Sequence, residues 1–329
     1  MNSQAAAPDA KSYPPAGDLY TRLTAGVLFP LHELLKGRDT AAARRRLELS
    51  QWWSAQRLQA LRLARLPAMQ PHAYRYVPYY RPLLDAAGLA GGAIHSLDDL
   101  TRIPPLTKAL IRTNTEALKS TRARKLVRFN TGGSSGEPLI FYIGKERVSH
   151  DVAAKWRATR WWDVDIGDRE IVVWGSPIEL GAQDGLRALR DRLLRTRLLP
   201  AFEMSEKKLD GFLDEMCAVR PKMLFGYPSA LSHIARHAVA RGRRMDDLGI
   251  KVAFVTSERL YDEQRAQISK TFGCPVANGY GGRDAGFIAH ECPVGSMHIT
   301  AEDIIVEVVD AQGLPMREDE GGEIVVTLL

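Results

Sequence analysis

Phe129-Asn130-Thr131-Gly132-Gly133-Ser134-Ser135-Gly136-Glu137-Pro138-Leu139 packs three glycines and three hydroxyl residues into one short span. Strand-like runs at 125–129 and 139–143 flank it. Glycine lets the backbone turn its N–H groups inward with no Cβ in the way, and hydroxyls add donors of their own. Such a loop suits a phosphate. Its spacing is not that of a Gly-x4-Gly-Lys-Ser/Thr loop, since no lysine follows the last glycine. Pro138 favours an extended exit rather than a helix. On composition alone, a phosphate cradle and a Gly/Ser surface turn fit the stretch equally.

Downstream of this loop, strands and helices alternate. Strands are predicted at 125–129, 139–143, 170–174, 222–225, 251–255 and 275–278, and helices at 146–162, 184–195, 205–219, 228–241 and 260–272. Alternation of this kind predicts an α/β sheet flanked by helices. Upstream, residues 1–17 read as an Ala/Pro-rich disordered leader. Residues 18–124 read as a helical region in which the helical pattern of 40–70 is ended by Pro67 and Pro71. Residues 125–296 form the α/β core. From 297 to 329 two strand patterns surround an Asp310-Ala311-Gln312-Gly313 turn, the opening of a β-rich, antiparallel subdomain. A strand close to Leu329 needs a partner.

At 329 residues, 45% of them hydrophobic, the chain can bury one large core or two smaller ones. The net charge is +6, and arginine supplies most of the excess, 33 against 12 lysines, with clusters at 44–46, 122–128 and 187–197. Guanidinium pairs well with phosphate and carboxylate, yet no aromatic-rich RNA signature or zinc-finger spacing accompanies it, and no nucleic-acid partner is expected. The three cysteines, Cys217, Cys274 and Cys292, are too few and too dispersed for a disulfide framework and point to a reducing, cytoplasmic compartment. No apolar run reaches the length of a membrane span. Peripheral membrane contact and oligomeric state stay open.

A second glycine-rich turn, Asn278-Gly279-Tyr280-Gly281-Gly282-Arg283-Asp284-Ala285-Gly286, follows a predicted strand. Here glycines frame an aromatic ring, a cation and a carboxylate. A tyrosine can stack on a purine, an arginine can meet phosphate, and an aspartate can hold Mg²⁺ through oxygen. A hairpin turn with incidental polar groups is the plainer reading.

From about Leu58 to Leu329 the chain resembles the adenylate-forming superfamily of acyl- and aryl-CoA ligases, and within it the phenylacetate-CoA ligase, CapK and coenzyme F390 synthetase-like branch. The resemblance rests on Val77-Pro78-Tyr79-Tyr80-Arg81, Ile103-Pro104-Pro105-Leu106-Thr107-Lys108, the 131–138 loop, Tyr280 to Asp284, Ile288-Ala289-His290-Glu291-Cys292-Pro293 and Gly321-Gly322-Glu323-Ile324-Val325-Val326, in this order. It implies the large N-terminal domain of such an enzyme, with flanking helices and an incomplete β-rich subdomain. It also implies ATP, Mg²⁺ and CoA, with a small-molecule carboxylic acid as substrate.

The resemblance assigns roles position by position. Thr131, Gly132, Gly133, Ser134, Ser135 and Gly136 would fold over the β- and γ-phosphates of ATP. Ser257, Glu258 and Arg259 would border the adenine, and Tyr280, with Gly281 and Gly282 beside it, would lie against the ring. Arg283 would face phosphate, and Asp284 stands where the family usually has a glutamate contacting Mg²⁺. Trp174, Gly175, Gly226, Tyr227, Pro228 and Ser229 fall where the acyl pocket is usually built. Trp174 and Tyr227 serve equally well as core aromatics. The implied chemistry is attack of a carboxylate on the α-phosphorus of ATP with loss of pyrophosphate, which asks for positioning, donors and a metal more than for an acid or base.

Cys292 and His298 match one half of a zinc site of the aryl-CoA ligase branch, but the Cys-x-Cys that would complete it is not in the sequence. Two ligands do not close a tetrahedral site. Relatives also continue well past the position of Leu329, with an Arg-Tyr-x-x-Gly-Asp segment and a mobile domain that carries a lysine aiding adenylation. The expectation is a chain that lacks this C-terminal domain and whose acid–CoA ligase activity is impaired. The alternatives are an adenylating ligase that forms an amide or ester, or a non-catalytic nucleotide-binding or scaffold protein of capsule or exopolysaccharide biosynthesis.

Overall fold

Asp18 opens the described fold: its carboxylate accepts the Thr21 N–H at 2.8 Å and caps helix α1 (Leu19–Leu23). A computed structural model describes residues 17–91, 94–131, 139–175, 185–317 and 320–329, with backbone alone at 185–188. From α1 the chain passes through a π-helical turn (Thr24–Leu28) into α2 (Phe29–Leu35). Helices α3 (Thr40–Ser50) and α4 (Ala55–Tyr76) follow, the second capped by Ser54, whose hydroxyl accepts from Arg57 N–H.

Pro67 and Pro71 lie inside α4, where the sequence pattern predicted a stop. An interior proline costs about 3 kcal/mol in an isolated helix. Here Leu66 is fully buried, and Leu63, Met69, Ala73 and Tyr74 pack on the same cluster as Leu84, Leu89, Ile94, Leu100 and Ile305. Burial at about 25 cal/mol per Å² of apolar surface offsets a loss of that size.

Beyond α4 come α5 (Tyr80–Ala86), a 3₁₀ turn (Asp98–Arg102) and α6 (Lys108–Thr113), capped by Thr107. Strands β1 (Val127–Asn130) and β2 (Ile140–Ile143) pair antiparallel, with Asn130 opposite Ile140. Then α7 (Lys145–Arg160), β3 (Glu170–Trp174), α8 (Gly185–Leu193), β4 (Thr196–Pro200), α9 (Glu206–Val219), β5 (Met223–Gly226), α10 (Pro228–Ala240), β6 (Val252–Thr256), α11 (Asp262–Phe272) and β7 (Val276–Gly282) alternate. The chain continues through β8 (Gly286–Glu291), β9 (Met297–Ile299), β10 (Ile304–Val309) and β11 (Glu323–Leu328).

Seven strands form one sheet in the order β4-β3-β5-β6-β7-β8-β9. Its pairs from β4 to β7 are parallel, and β8–β9 is antiparallel. Apolar side chains of β3, β5 and β6, among them Val173, Leu224 and Val255, are buried against α9, α10 and α11. Strands covered on both faces read as continuous apolar runs, and Val252 to Val255 are all fully buried. Strand β4 escaped the sequence reading. It is an edge strand whose Arg197 is exposed and whose Leu199 is buried, so its single arginine reads as the end of the basic 187–197 cluster.

The chain divides into two compact units, each discontinuous in sequence, whereas the sequence reading drew contiguous segments. The first holds the described residues up to Arg44, with 152–282 and 289–299; the second holds 45–151, 283–288 and 300–329. In the first, Asp168 ties the N-terminal helices to the base of the sheet, accepting from Thr21 Oγ1 at 2.8 Å and pairing with Lys222 at 2.9 Å. In the second, β10 supplies the partner that β11 requires, with Ile304 opposite Leu328. The Asp310 turn forms as predicted, its carboxylate accepting from Gln312 and Leu314 N–H, both at 2.9 Å.

Candidate active site

In an open parallel sheet, ligands bind beyond the carboxyl ends of the strands, where loops leave for the helices. Four neighbouring strands of the first unit, β3, β5, β6 and β7, end there with sequence-singled residues. Trp174 closes β3, and Gly175 follows at φ +102°. Gly226 closes β5; a Cβ there would lie 2.5 Å from the Val173 carbonyl oxygen, so only glycine lets these two strands approach. Tyr227 then caps α10, with Pro228 in its first turn.

After β6, Ser257 adopts a left-handed backbone at φ +71°, a conformation costly for a residue with a Cβ. The turn brings Glu258 back so that its Oε2 accepts the Ser229 N–H at 3.3 Å. A carboxylate thus sits at the N-terminus of α10, where the helix dipole favours negative charge. Arg259 lies over the Tyr261 ring at 5.2 Å. Tyr280, on the last turn of β7, is 46% exposed. Gly279 beneath it passes so close to Phe254 that a Cβ would stand 2.9 Å from the ring.

Trp174 stacks on Tyr227 with centroids 4.4 Å apart and planes at 17°, and on Phe225 at 5.7 Å. Both Trp174 and Tyr227 are half-buried. Tyr227 packs against the core cluster, as the core-aromatic reading expects, and its stack with Trp174 lies at the carboxyl ends of β3 and β5. Offset aromatic stacks of this kind are stabilising beyond their burial.

The second unit carries the remaining singled residues. The β1–β2 hairpin is closed at its neck by Thr131, whose N–H donates to Leu139 O at 3.0 Å and whose Oγ1 accepts from Leu139 N–H at 2.9 Å. Gly132, Gly133, Ser134, Ser135 and Gly136 lie outside the described residues. Arg283 Nη1 donates to the carbonyl of Asn130 at 3.2 Å, which brings the second motif to the foot of the first. Asp284 Oδ1 accepts from Ala285 N–H at 3.1 Å.

Under this turn lies a half-buried ionic cluster. Arg147 donates to the Ala285 carbonyl at 2.6 Å and pairs with Asp303 at 2.6 Å and Asp151 at 2.9 Å. His150 stands 3.4 Å from Asp303. Burial pushes the Asp151 carboxyl up to about 6, Asp303 adds to the rise, and Arg147 opposes it. Burial also raises Asp303. A carboxyl whose folded pKa is raised binds its proton more tightly in the folded state. The stability it supplies is complete below the ordinary 3.8 and is lost as pH rises through about 6. Asp151→Asn is therefore expected to flatten the dependence of Tm on pH across that window by the equivalent of about 1–3 kcal/mol; an unchanged slope would reject the assignment.

No protein-family model matches the chain. CapK of Staphylococcus aureus is 24% identical over 245 residues, 73% of this chain and 54% of CapK. The phenylacetate-coenzyme A ligase of Thermus thermophilus is 26% identical over 287 residues, 83% of this chain and 62% of that ligase. The crystal structure of an open conformation of 2-hydroxyisobutyryl-CoA ligase, in complex with 2-HIB-AMP and CoA, matches with a TM-score of 0.69 at 20% identity, over 84% of this chain and 66% of that one. The chain is thus similar to CapK and to phenylacetate-CoA ligases. Its fold is that of the adenylate-forming CoA ligases. It spans between about half and two thirds of the length of these relatives.

In this fold, two residues that the sequence reading left without a role brace strand β7. Glu291, buried at the end of β8, accepts the Asn278 N–H at 2.8 Å and is clamped by Arg265 of α11 at 2.9 and 3.1 Å. Arg265 also donates to Val276 O at 2.6 Å. Together they fix β7, the strand that leads to Tyr280. The apolar neighbours Ile288 and Ala289 were the available signal, since a carboxylate beside such a run demands a partner. Arg147 gave less warning, because its place in the first turns of α7 reads as a solvated helix face.

Cys292 and His298 belong to the β8–β9 hairpin, where His290 is opposite His298. Cys292 is buried, and the His298 ring meets Trp161 edge-on at 5.3 Å. Among the described residues, no three His, Cys, Asp or Glu side chains gather as a metal-holding group. Mg²⁺ needs no such group: it typically takes one or two carboxylates and completes its shell with water and substrate phosphates, so a single side chain of the Asp284 kind is chemically sufficient.

Proposed function

We propose that this chain activates a small carboxylic acid with ATP, forming an acyl-adenylate, and passes the acyl group to CoA. The observation that carries the reading is the row of β3, β5, β6 and β7 carboxyl ends, opened by glycine and walled by the Trp174–Tyr227 stack. The named relatives support it: phenylacetate-coenzyme A ligase by its name, and 2-hydroxyisobutyryl-CoA ligase by its complex with 2-HIB-AMP and CoA.

In this mechanism a carboxylate oxygen attacks the α-phosphorus of ATP, the bond to the β-phosphate bridging oxygen breaks, and pyrophosphate leaves. The thiol of CoA then attacks the acyl carbon, its proton goes to solvent, and AMP departs. The chain's residues orient the reactants. The Trp174–Tyr227 wall holds the hydrophobic part of the acid, Tyr280 offers its exposed ring to adenine, and Ser257 to Arg259 border the base. Thr131 anchors the neck of a loop whose residues 132–136 are assigned to phosphate, and Arg283 supplies positive charge beside that neck. Mg²⁺, held by Asp284, would neutralise phosphate charge.

A flat aromatic wall favours an aryl acid over a short aliphatic one. Trp174→Ala is expected to raise the acid concentration for half-maximal ATP–pyrophosphate exchange about tenfold, the equivalent of ~1.4 kcal/mol, while the half-saturating ATP concentration stays within a factor of about two. Equal changes for both substrates would remove Trp174 from the acid pocket.

A further inference from the structure

The helical segment from α1 through α2 is built inside out. Thr21, Thr24, Ala25, Phe29 and Glu33 are buried, whereas Leu19, Leu23, Val27, Leu31, Leu34 and Leu35 are 48% to 83% exposed. The hidden face is firmly anchored: Thr21 bonds Asp168, Thr24 packs against Gly167, and Glu33 accepts from Thr40 at 2.5 Å. The segment therefore presents its leucines as part of a fixed surface. Every fourth residue of an α-helix advances by about 40° around the axis, so a 19-23-27-31 row would wind off one face. The wider π turn at Thr24–Leu28 takes up part of that drift, and the three-residue step to Leu34 turns it back.

Helix α8 extends this surface within the same unit. Tyr20 Oη donates to the Leu193 carbonyl at 3.0 Å, and Arg195 covers the Tyr20 ring at 4.0 Å. Leu189 and Leu193 are also exposed. Contiguous apolar patches of this extent on a soluble surface mark interaction sites.

We infer that this face docks on an anionic lipid bilayer, with the leucines entering the headgroup–acyl boundary and the arginines meeting lipid phosphate. Residues 18–39 and 190–197 carry seven Arg and Lys against four Asp and Glu, and Arg22 and Arg192 are exposed on the same helices as Leu19, Leu23, Leu189 and Leu193. An apolar stripe with a basic rim, lying along the surface, is the pattern of an interfacial helix. Among the described residues no helix is long and apolar enough to cross a membrane, so docking is in the plane of the interface. A second copy of the chain fits less well: a two-fold interface would set the same basic rim against itself.

Co-sedimentation of the full chain with phosphatidylcholine vesicles, with and without phosphatidylglycerol, tests this. Binding to the mixed vesicles is expected, weakening as salt rises. Leu23→Glu/Val27→Glu/Leu31→Glu should reduce it at least about tenfold and leave the Tm unchanged, because these side chains already face water. Arg22→Glu/Arg192→Glu should reduce binding to the anionic vesicles. Should the apolar variant prove unstable, Leu19→Ser/Leu34→Ser/Leu35→Ser gives the same reading with smaller changes. Wild-type chain that stays in the supernatant, binding insensitive to these variants, or a wild-type dimer that the leucine variants convert to monomer would each overturn the inference.

Discussion

Replacing Glu291 with alanine is expected to destabilise the first unit by about 3 kcal/mol. The carboxylate is buried, binds Arg265 through both oxygens and accepts the Asn278 N–H. Its loss strands one backbone donor, at about 1–2 kcal/mol. It also leaves the Arg265 guanidinium without its anion. Arg265 is 38% exposed, so water recovers part of that charge and the total stays near the lower end of the range for a fully buried pair. Glu291→Gln keeps an acceptor for Asn278 and should cost about half as much. Urea unfolding of both variants and of Arg265→Ala measures this. The double variant should cost clearly less than the sum of the two singles; additive costs would show that the clamp contributes nothing as a pair. Because β7 leads from Asn278 to Tyr280, the same variants should weaken ATP binding.

Gly286→Ala is expected to cost the second unit about 3–5 kcal/mol. Gly286 sits at φ +71°, and its missing Cβ is where the Arg147 guanidinium and the Asp151 carboxylate pass. A left-handed alanine costs about 1–2 kcal/mol before any contact is considered. Arg147 is flexible at its tip, but it is held by Ala285 O, Asp151 and Asp303 at once. Moving it disturbs two half-buried ion pairs and one hydrogen bond to a carbonyl together. Arg147→Ala should accordingly cost less in the Gly286→Ala background than in the wild type. Chemical denaturation decides this, and a Gly286→Ala variant within about 0.5 kcal/mol of wild type would contradict the packing.

Glycine carries a backbone requirement that can be read without coordinates, as at Gly279 in the second glycine-rich stretch, where a Cβ would stand 2.9 Å from Phe254. Gly226 and Gly175 likewise mark a close strand approach and a left-handed turn. The parallel strands were legible as apolar runs bounded by turns. What stayed hidden depends on partners distant in sequence. Pro67 and Pro71 looked like helix ends because the cluster that stabilises α4 includes Ile305, far along the chain. Strand β4 was masked by Arg197, which joins it to the basic run before it. Glu291 and Arg147 are charged residues whose importance comes from burial, and burial is set by the packing of elements that no local pattern specifies. The leucines of α1 and α2 show the reverse case: their spacing suggests a core face, yet the hydroxyls of Thr21 and Thr24 take the inside because Asp168 and Gly167 wait there.

Acid-dependent exchange of labelled pyrophosphate into ATP tests the central claim most directly. With Mg²⁺ and a panel of aryl and aliphatic carboxylic acids, this chain should catalyse exchange with at least one aryl acid, give none without acid, and lose it when Trp174 and Tyr227 are both replaced by alanine. Exchange that needs no acid, or the absence of both exchange and ATP binding with every acid in the panel, would contradict an adenylating site at the carboxyl ends of these strands.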